Sequence, residues 1–248
     1  MSEAITSMKE IFDKTRIVLV GTTHPGNIGA TARAMKTMSQ NNLYLVSPKI
    51  FPSAEATARA TGADDILASA KVFSSLKEAI SDCDLVIGTS ARIRSIPWPM
   101  VSPRECAKTI SENKYSSVAI VFGRENSGLS NEELELCNLV LQIPTNSEYS
   151  SLNLASAVQI ICYEIYLLRD MVENIGTKEN ELPLVSQDKM EMFYQHLERC
   201  LIDIGFHDVE NPRLLMHRMR RLFNRTQLEE NECNILRGIL SKIEEKIK

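Results

Sequence analysis

Four short stretches of this 248-residue chain gather side chains that can bind or react: GTTHPGNIGAT (21–31), GTSARIR (88–94), FGRENSGLS (122–130) and PTNSEYSSLNLAS (144–156). Glycine lets a backbone approach a ligand closely, Ser, Thr and Asn both donate and accept hydrogen bonds, and Arg recognises anions. That mixture suits binding and alignment of a substrate. It lacks the marks of other chemistries: there is no HExxH, no GxSxG and no GxxxxGK[ST], which removes the main support for zinc hydrolase, serine hydrolase and P-loop readings. Glycines at 21, 26 and 29 miss the G-x-G-x-x-G spacing, and no acid follows the second apolar run to hold a ribose, so a nicotinamide-dinucleotide reading is weak.

The six cysteines, at 83, 106, 137, 162, 200 and 233, are far apart and have no histidine cluster beside them. They read as buried reduced thiols, with neither a metal site nor a disulfide framework. The net charge of −4 argues against a general nucleic-acid binder. Its distribution is uneven, because arginines 213, 218, 220, 221 and 225 fall between Pro212 and Leu228 with no acid among them. A local basic stretch can serve RNA inside an acidic protein. No apolar run approaches the roughly 20 residues of a membrane span, and MSEAITSMKEIFDK carries acids in place of an apolar leader core. The expected location is the cytoplasm, with no membrane partner.

The reactive stretches are positioned by β-branched runs that each precede one of them or space them apart: RIVLV (16–20), LYLV (43–46), LVIG (85–88), VAIVF (118–122) and VLQI (140–143). Segments with helical spacing lie between, at 27–38, 76–81, 103–113 and 131–137. Strand and helix in alternation predict an α/β fold with a parallel sheet covered on both faces. In such sheets ligands bind beyond the carboxyl ends of the strands, so the four stretches are expected at one end, around one site. Ser130 and Glu133 fit a capping box that starts a helix just past the third stretch.

Leu154, Val158, Ile161, Ile165 and Leu168 predict an amphipathic helix whose apolar stripe needs a partner surface. NIGTKENELPLVSQ (174–187) reads as a linker between a domain at 1–173 and an all-helical extension at 188–248. The extension is expected to hold helices at 189–201, 212–225 and 227–247, the second capped by Asn211-Pro212. In that second helix Leu215, Met219 and Leu222 share one face, while Arg213, Arg220 and Arg221 fall mainly on others.

NIGATARAMKTM (27–38), VFGRENSGLSNEE (121–133) and IPTNSEYSSLNLASAVQI (143–160) resemble the three signature motifs of the SPOUT superfamily of S-adenosylmethionine-dependent RNA methyltransferases, in its TrmH-like 2′-O-ribose branch. TSARIRSIPWPM, SPREC and NPRLLMHRMRRLF are similar to that branch's tRNA cytidine/uridine ribose methyltransferases, so the likeness covers nearly the whole chain. The resemblance implies a sheet whose C-terminal part is threaded into a trefoil knot, and a homodimer that would cover the stripe on 154–168. It implies methylation of a pyrimidine 2′-hydroxyl in the tRNA anticodon loop, expected at nucleotide 32 of the tRNA. A ribosomal RNA substrate and a knotted RNA-binding protein without catalysis are the alternatives, the last opposed by intact Arg33 and SSLN.

Carried over by motif, S-adenosylmethionine is expected against Thr89, Ser90, Ala91, Gly123, Ile143, Ser150, Ser151 and Leu152. Ile143 could equally be core, and the two serines helix caps. Catalysis is expected of Arg33, Ser151, Asn153 and Glu125, with no metal. A guanidinium is a poor base, so Arg33 would act through an RNA phosphate or by stabilising the developing alkoxide. Glu125 would orient Arg124 or Arg33, or bind the cofactor's ammonium. Ser151 and Asn153 would order the ribose, unless Asn153 only satisfies backbone groups. RNA contacts are expected from Asn27, which is also read as a helix cap, and from Arg92, Arg94, Arg124, Arg213, Arg220 and Arg221, for which plain surface positions are the alternative.

Overall fold

All the apolar runs become strands of one sheet. In the computed structural model, which describes residues 10–91, 98–112, 115–168, 183–210 and 212–247, the strands are β1 (Thr15–Val20), β2 (Asn42–Val46), β3 (Lys71–Phe73), β4 (Leu85–Thr89), β5 (Met100–Val101), β6 (Val118–Phe122) and β7 (Leu139–Leu141). They pair in the order β3-β2-β1-β6-β4-β7-β5, and every pairing is parallel. Side chains alternate across a strand, and here both faces are apolar. Ile17 and Leu19 of β1 join Ile120 and Phe122 of β6 in one core, while Val18, Val20, Ala119 and Val121 enter a second core on the opposite face. All five residues of β6 are buried, which is why its run shows no polar alternation.

The covering helices are α1 (Pro25–Thr37), α2 (Ala54–Ala60), α3 (Asp64–Ser69), α4 (Leu76–Ala79), α5 (Pro103–Ser111), α6 (Asn131–Glu135) and α7 (Leu154–Tyr166). Pro25 begins α1 at the position where a missing N–H costs nothing. Gly29 lets α2 approach: a Cβ there would lie 2.0 Å from the Ala56 carbonyl oxygen. The capping box at Ser130 and Glu133 is present, and Ser102 with Glu105 forms another. Two strands and two helices have no counterpart in the sequence reading. β3 and β5 are short and largely exposed, and α2 turns only Ala56 and Ala60 inward, so none carries a strong apolar period.

The stripe on α7 finds its partner within the chain. Val158, Ile161 and Ile165 are fully buried in the same core as Ile28 and Met35 of α1 and Ile110 of α5, so that stripe is not left for a second subunit to cover.

The extension forms α8 (Gln187–Asp203), α9 (Leu215–Thr226) and α10 (Glu230–Ile247) around its own core, which includes Phe193, Tyr194 and Leu240. Of the expected linker, 174–182 lie outside the described residues, and Val185 already belongs to the helical core. The helices dock on the sheet unit through buried polar groups. Gln187 Nε2 donates to Asn138 Oδ1 at 3.1 Å, and that same oxygen accepts from the Val86 amide at 2.7 Å. Asn224 Nδ2 donates to the carbonyls of Glu135 and Cys137 at 3.1 and 3.3 Å.

Helix α9 departs from the expectation in two ways. It starts at Leu215 with Leu214 as its N-cap, so Pro212 does not open it, and Asn211 lies outside the described residues. Its inner face is not the Leu215, Met219 and Leu222 row, since Leu222 is 40% exposed. Met219 and Phe223 pack inward beside Asn224, which is buried, and Arg220, which bonds Glu191 at 2.7 Å and lies over the Tyr194 ring at 4.5 Å. Polar side chains that find partners can occupy a packed face, which simple hydrophobic periodicity does not register. All six cysteines are free and buried, and among the described residues no helix is long and apolar enough to cross a membrane.

Candidate active site

The loops after β1, β4, β6 and β7 do converge at the carboxyl end of the sheet, around a cavity of about 540 Å³. That volume is within the range of small-molecule sites. All eight residues expected to hold a cofactor line it: Thr89, Ser90, Ala91, Gly123, Ile143, Ser150, Ser151 and Leu152. Phe122, Leu141, Ile143, Leu154 and Ala157 supply apolar wall, and the hydroxyls of Thr89, Ser90, Ser150 and Ser151 supply polar edge. Such walls suit a ligand with a flat heteroaromatic part and a polar tail.

Each loop is fixed by bonds of its own. Thr89 Oγ1 donates to the Val121 carbonyl at 3.0 Å, and the Ser90 amide donates to the Leu141 carbonyl at 3.0 Å, so the loop after β4 is held between β6 and β7. After β6 the chain doubles back: the Arg124 amide bonds the Gly128 carbonyl at 3.2 Å, and the Gly128 amide bonds the Arg124 carbonyl at 2.9 Å. Gly123 is required there, because a Cβ would lie 2.1 Å from the Gly128 carbonyl carbon. Arg124, expected to contact RNA, lines the cavity and forms two hydrogen bonds with Glu133, both at 3.0 Å, which ties the loop to the start of α6.

Glu125 lines the cavity and bonds neither Arg124 nor Arg33. Its carboxylate accepts from the Thr23 amide at 3.1 Å, Thr23 Oγ1 at 2.9 Å, the His24 amide at 3.2 Å and Asn27 Nδ2 at 2.9 Å. A carboxylate at a helix N-terminus satisfies orphan amides and opposes the helix dipole. Partial burial works to raise its proton affinity, but the bonds from Asn27 and the amides outweigh it and hold the pKa at about 2.

Asn27 continues the network. It does not cap α1, whose N-cap is His24; it sits one turn inside the helix, and its Oδ1 accepts from Asn153 Nδ2 at 3.1 Å. Asn153 in turn caps α7, its Oδ1 accepting from the Ala155 amide at 3.0 Å, so that role falls to Asn153 and not to Ser150 or Ser151. Glu125, Asn27 and Asn153 thus lock three loops together beside the cavity.

Arg33 is elsewhere. It is exposed on α1, outside the cavity wall, and makes no hydrogen bond or ion pair with the described residues. Arg92 and Arg94 lie outside the described residues. Arg213, Arg220 and Arg221 belong to the helical unit, where Arg213 is exposed, Arg220 is committed to Glu191 and Tyr194, and Arg221 is half-buried. Among the lining residues that had not been singled out are His24 and Tyr149. Their place inside the four stretches was the available signal.

Residues 14–163 match the model of the SpoU rRNA Methylase family. The chain belongs to that family. Residues 188–248 match a second model, the C-terminal domain of tRNA methyltransferase TrmJ. This SpoU methylase is 50% identical over 242 residues to the tRNA (cytidine/uridine/adenosine-2′-O-)-methyltransferase TrmJ of Pseudomonas aeruginosa, with 94% of each chain covered. It is 52% identical to the tRNA (cytidine/uridine-2′-O-)-methyltransferase TrmJ of Photorhabdus laumondii, covering 94% of this chain and 98% of that one. Among solved structures it is similar to TrmJ from Z. mobilis, with a TM-score of 0.81, 33% identity, and 93% and 99% of the two chains covered.

Proposed function

We propose that this SpoU methylase transfers a methyl group from S-adenosylmethionine to the 2′-hydroxyl of a pyrimidine ribose in the anticodon loop of tRNA. The observation that carries the reading is the meeting of all eight motif positions in one cavity, in a chain that also matches the TrmJ C-terminal domain along 188–248. The relatives named above are tRNA ribose methyltransferases at about half identity over nearly the full length.

The donor supplies an activated methyl on a sulfonium, and the chain's own residues do the rest. Small and hydroxylated residues on the loops after β4 and β7 would hold it, and Ile143 and Leu152 would supply apolar wall. Transfer to an oxygen is an in-line displacement, so alignment is the main task, and positioning can be worth roughly 7 to 11 kcal/mol. The Glu125, Asn27 and Asn153 network serves that task by fixing three walls relative to one another. Ser151, on the cavity wall, orders the incoming ribose. Arg33 stabilises the developing oxyanion or the adjoining phosphate and needs no metal to do so.

The site is completed by a homodimer. Arg33 is absent from the wall of its own chain's cavity and unengaged on the outer face of α1, and a second copy packed on that face brings a guanidinium to a cavity. The trefoil knot is part of the same reading. In support, β7 lies in the sheet between β4 and β5, both of which precede it in the chain.

Purified protein incubated with labelled donor and unmodified tRNA should transfer label, and mass spectrometry of nuclease fragments should place it on an anticodon-loop pyrimidine. Transfer to ribosomal RNA alone would replace the substrate, and tight RNA binding without transfer would leave a binding protein.

A further inference from the structure

We propose that Tyr149 is a stacking platform for the nucleobase whose ribose enters the cavity, a subsite for one unstacked base of single-stranded RNA. The inference rests on the reading of this cavity as a ribose methylation site.

Tyr149 is 80% exposed, more than any other large hydrophobic side chain among the described residues. Exposure of that much aromatic surface to water is unfavourable, and aromatic residues are usually at least partly covered. Yet the ring belongs to the lining of the cavity, as does Leu152, itself 38% exposed. It stacks on no other ring among the described residues, so its faces are available.

The backbone beneath it is held. The Tyr149 amide donates to the Asn146 carbonyl at 3.1 Å, and the Asn146 side chain accepts from the Glu148 amide at 3.0 Å. Thr145 Oγ1 closes the loop onto the Ser150 carbonyl at 3.4 Å. An aromatic ring on a closed turn is presented to solvent with little backbone freedom left to lose on binding.

A ribose hydroxyl reaches a donor bound in this cavity only if its nucleotide leaves the stack of its neighbours. The stacking lost in that step is recovered when the base lies on a protein ring, which is how single-stranded RNA is commonly recognised. A ring face reads no hydrogen-bonding edge. The platform therefore suits a site that accepts more than one base, and selection of the nucleotide falls to contacts elsewhere.

The test uses full-length protein with Tyr149→Ala and Tyr149→Phe. For the alanine variant the KM for tRNA should rise roughly ten- to hundredfold, following the usual worth of one base stacked on an aromatic ring. The affinity for S-adenosylhomocysteine, by calorimetry, should stay within about twofold, and the phenylalanine variant should behave as wild type. An anticodon stem-loop carrying a fluorescent base analogue at the target position should be quenched by wild type and by Tyr149→Phe, and not by Tyr149→Ala. Unchanged KM and quenching in an active alanine variant overturn the proposal. So does an equal loss of S-adenosylhomocysteine affinity, which assigns the ring to the donor, or loss of the oligomer in sedimentation, which assigns it to a subunit contact. A wild-type enzyme inactive on every tRNA while the analogue is still quenched would sink the methylation reading alone.

Discussion

Asn153 Nδ2 donates to Asn27 Oδ1 at 3.1 Å across 126 residues of sequence, and Asn27 Nδ2 donates to Glu125 at 2.9 Å. One amide side chain therefore spends its donor on the loop after β6 and its acceptor on the loop after β7. Asn27→Asp keeps the shape and removes the donor, setting two carboxylates together. The variant should unfold about 1–3 kcal/mol more easily in urea and bind S-adenosylhomocysteine about tenfold more weakly by calorimetry.

The pKa of Glu125 gives the site an acid limit. Its ordinary value near 4.3 in the unfolded chain falls to about 2 in the fold, so the folded state is favoured above about pH 4.3 and loses that advantage as pH falls towards 2. Because the group is only partly buried and solvent screens it, the contribution is about 1 kcal/mol, below the full linkage value. Glu125→Gln should be less stable than wild type at pH 7, and the gap in denaturation midpoint should narrow below pH 4.

Gly123→Ala forces a methyl group into the backbone of Gly128, 2.1 Å away. The hairpin after β6 must open, and with it the cavity wall. We expect a lower melting temperature together with at least a tenfold loss of S-adenosylhomocysteine affinity, measured on the same preparation.

Arg33→Ala should lower kcat by at least about a hundredfold with donor affinity unchanged, since Arg33 lies outside the cavity wall. If a second copy delivers the guanidinium, mixing Arg33→Ala with Gly123→Ala, whose own cavity wall is disrupted, should raise activity in the hybrid dimers above that of either variant alone. No recovery from hybrids shown to form would place Arg33 in its own chain's site.

Asn224→Leu leaves the carbonyls of Glu135 and Cys137 and the hydroxyl of Tyr194 without the partner they have at 3.1, 3.3 and 2.7 Å. About 2–4 kcal/mol of stability should be lost in chemical denaturation. Amide exchange should quicken first in α9, and KM for tRNA should rise more than the donor's.

The sequence by itself determined the α/β alternation, the five central strands, the capping box at Ser130 and Glu133, and the four stretches that line the cavity. These are local matters: a strand buried on both faces needs an apolar run, and a parallel strand needs a loop at its carboxyl end. The tertiary structure decided what those loops do to one another. Glu125 reads in sequence as a partner for Arg124, Arg33 or the cofactor's ammonium, and only its approach to the amides of Thr23 and His24, some hundred residues earlier, makes it a brace. Arg124 and Arg220 read in sequence as RNA contacts or plain surface positions, and the fold pairs them with Glu133 and Glu191. Hydrogen bonds and ion pairs depend on distances of a few ångströms between residues far apart in the chain, and spacing along a sequence carries no information about such distances until the sheet order is known.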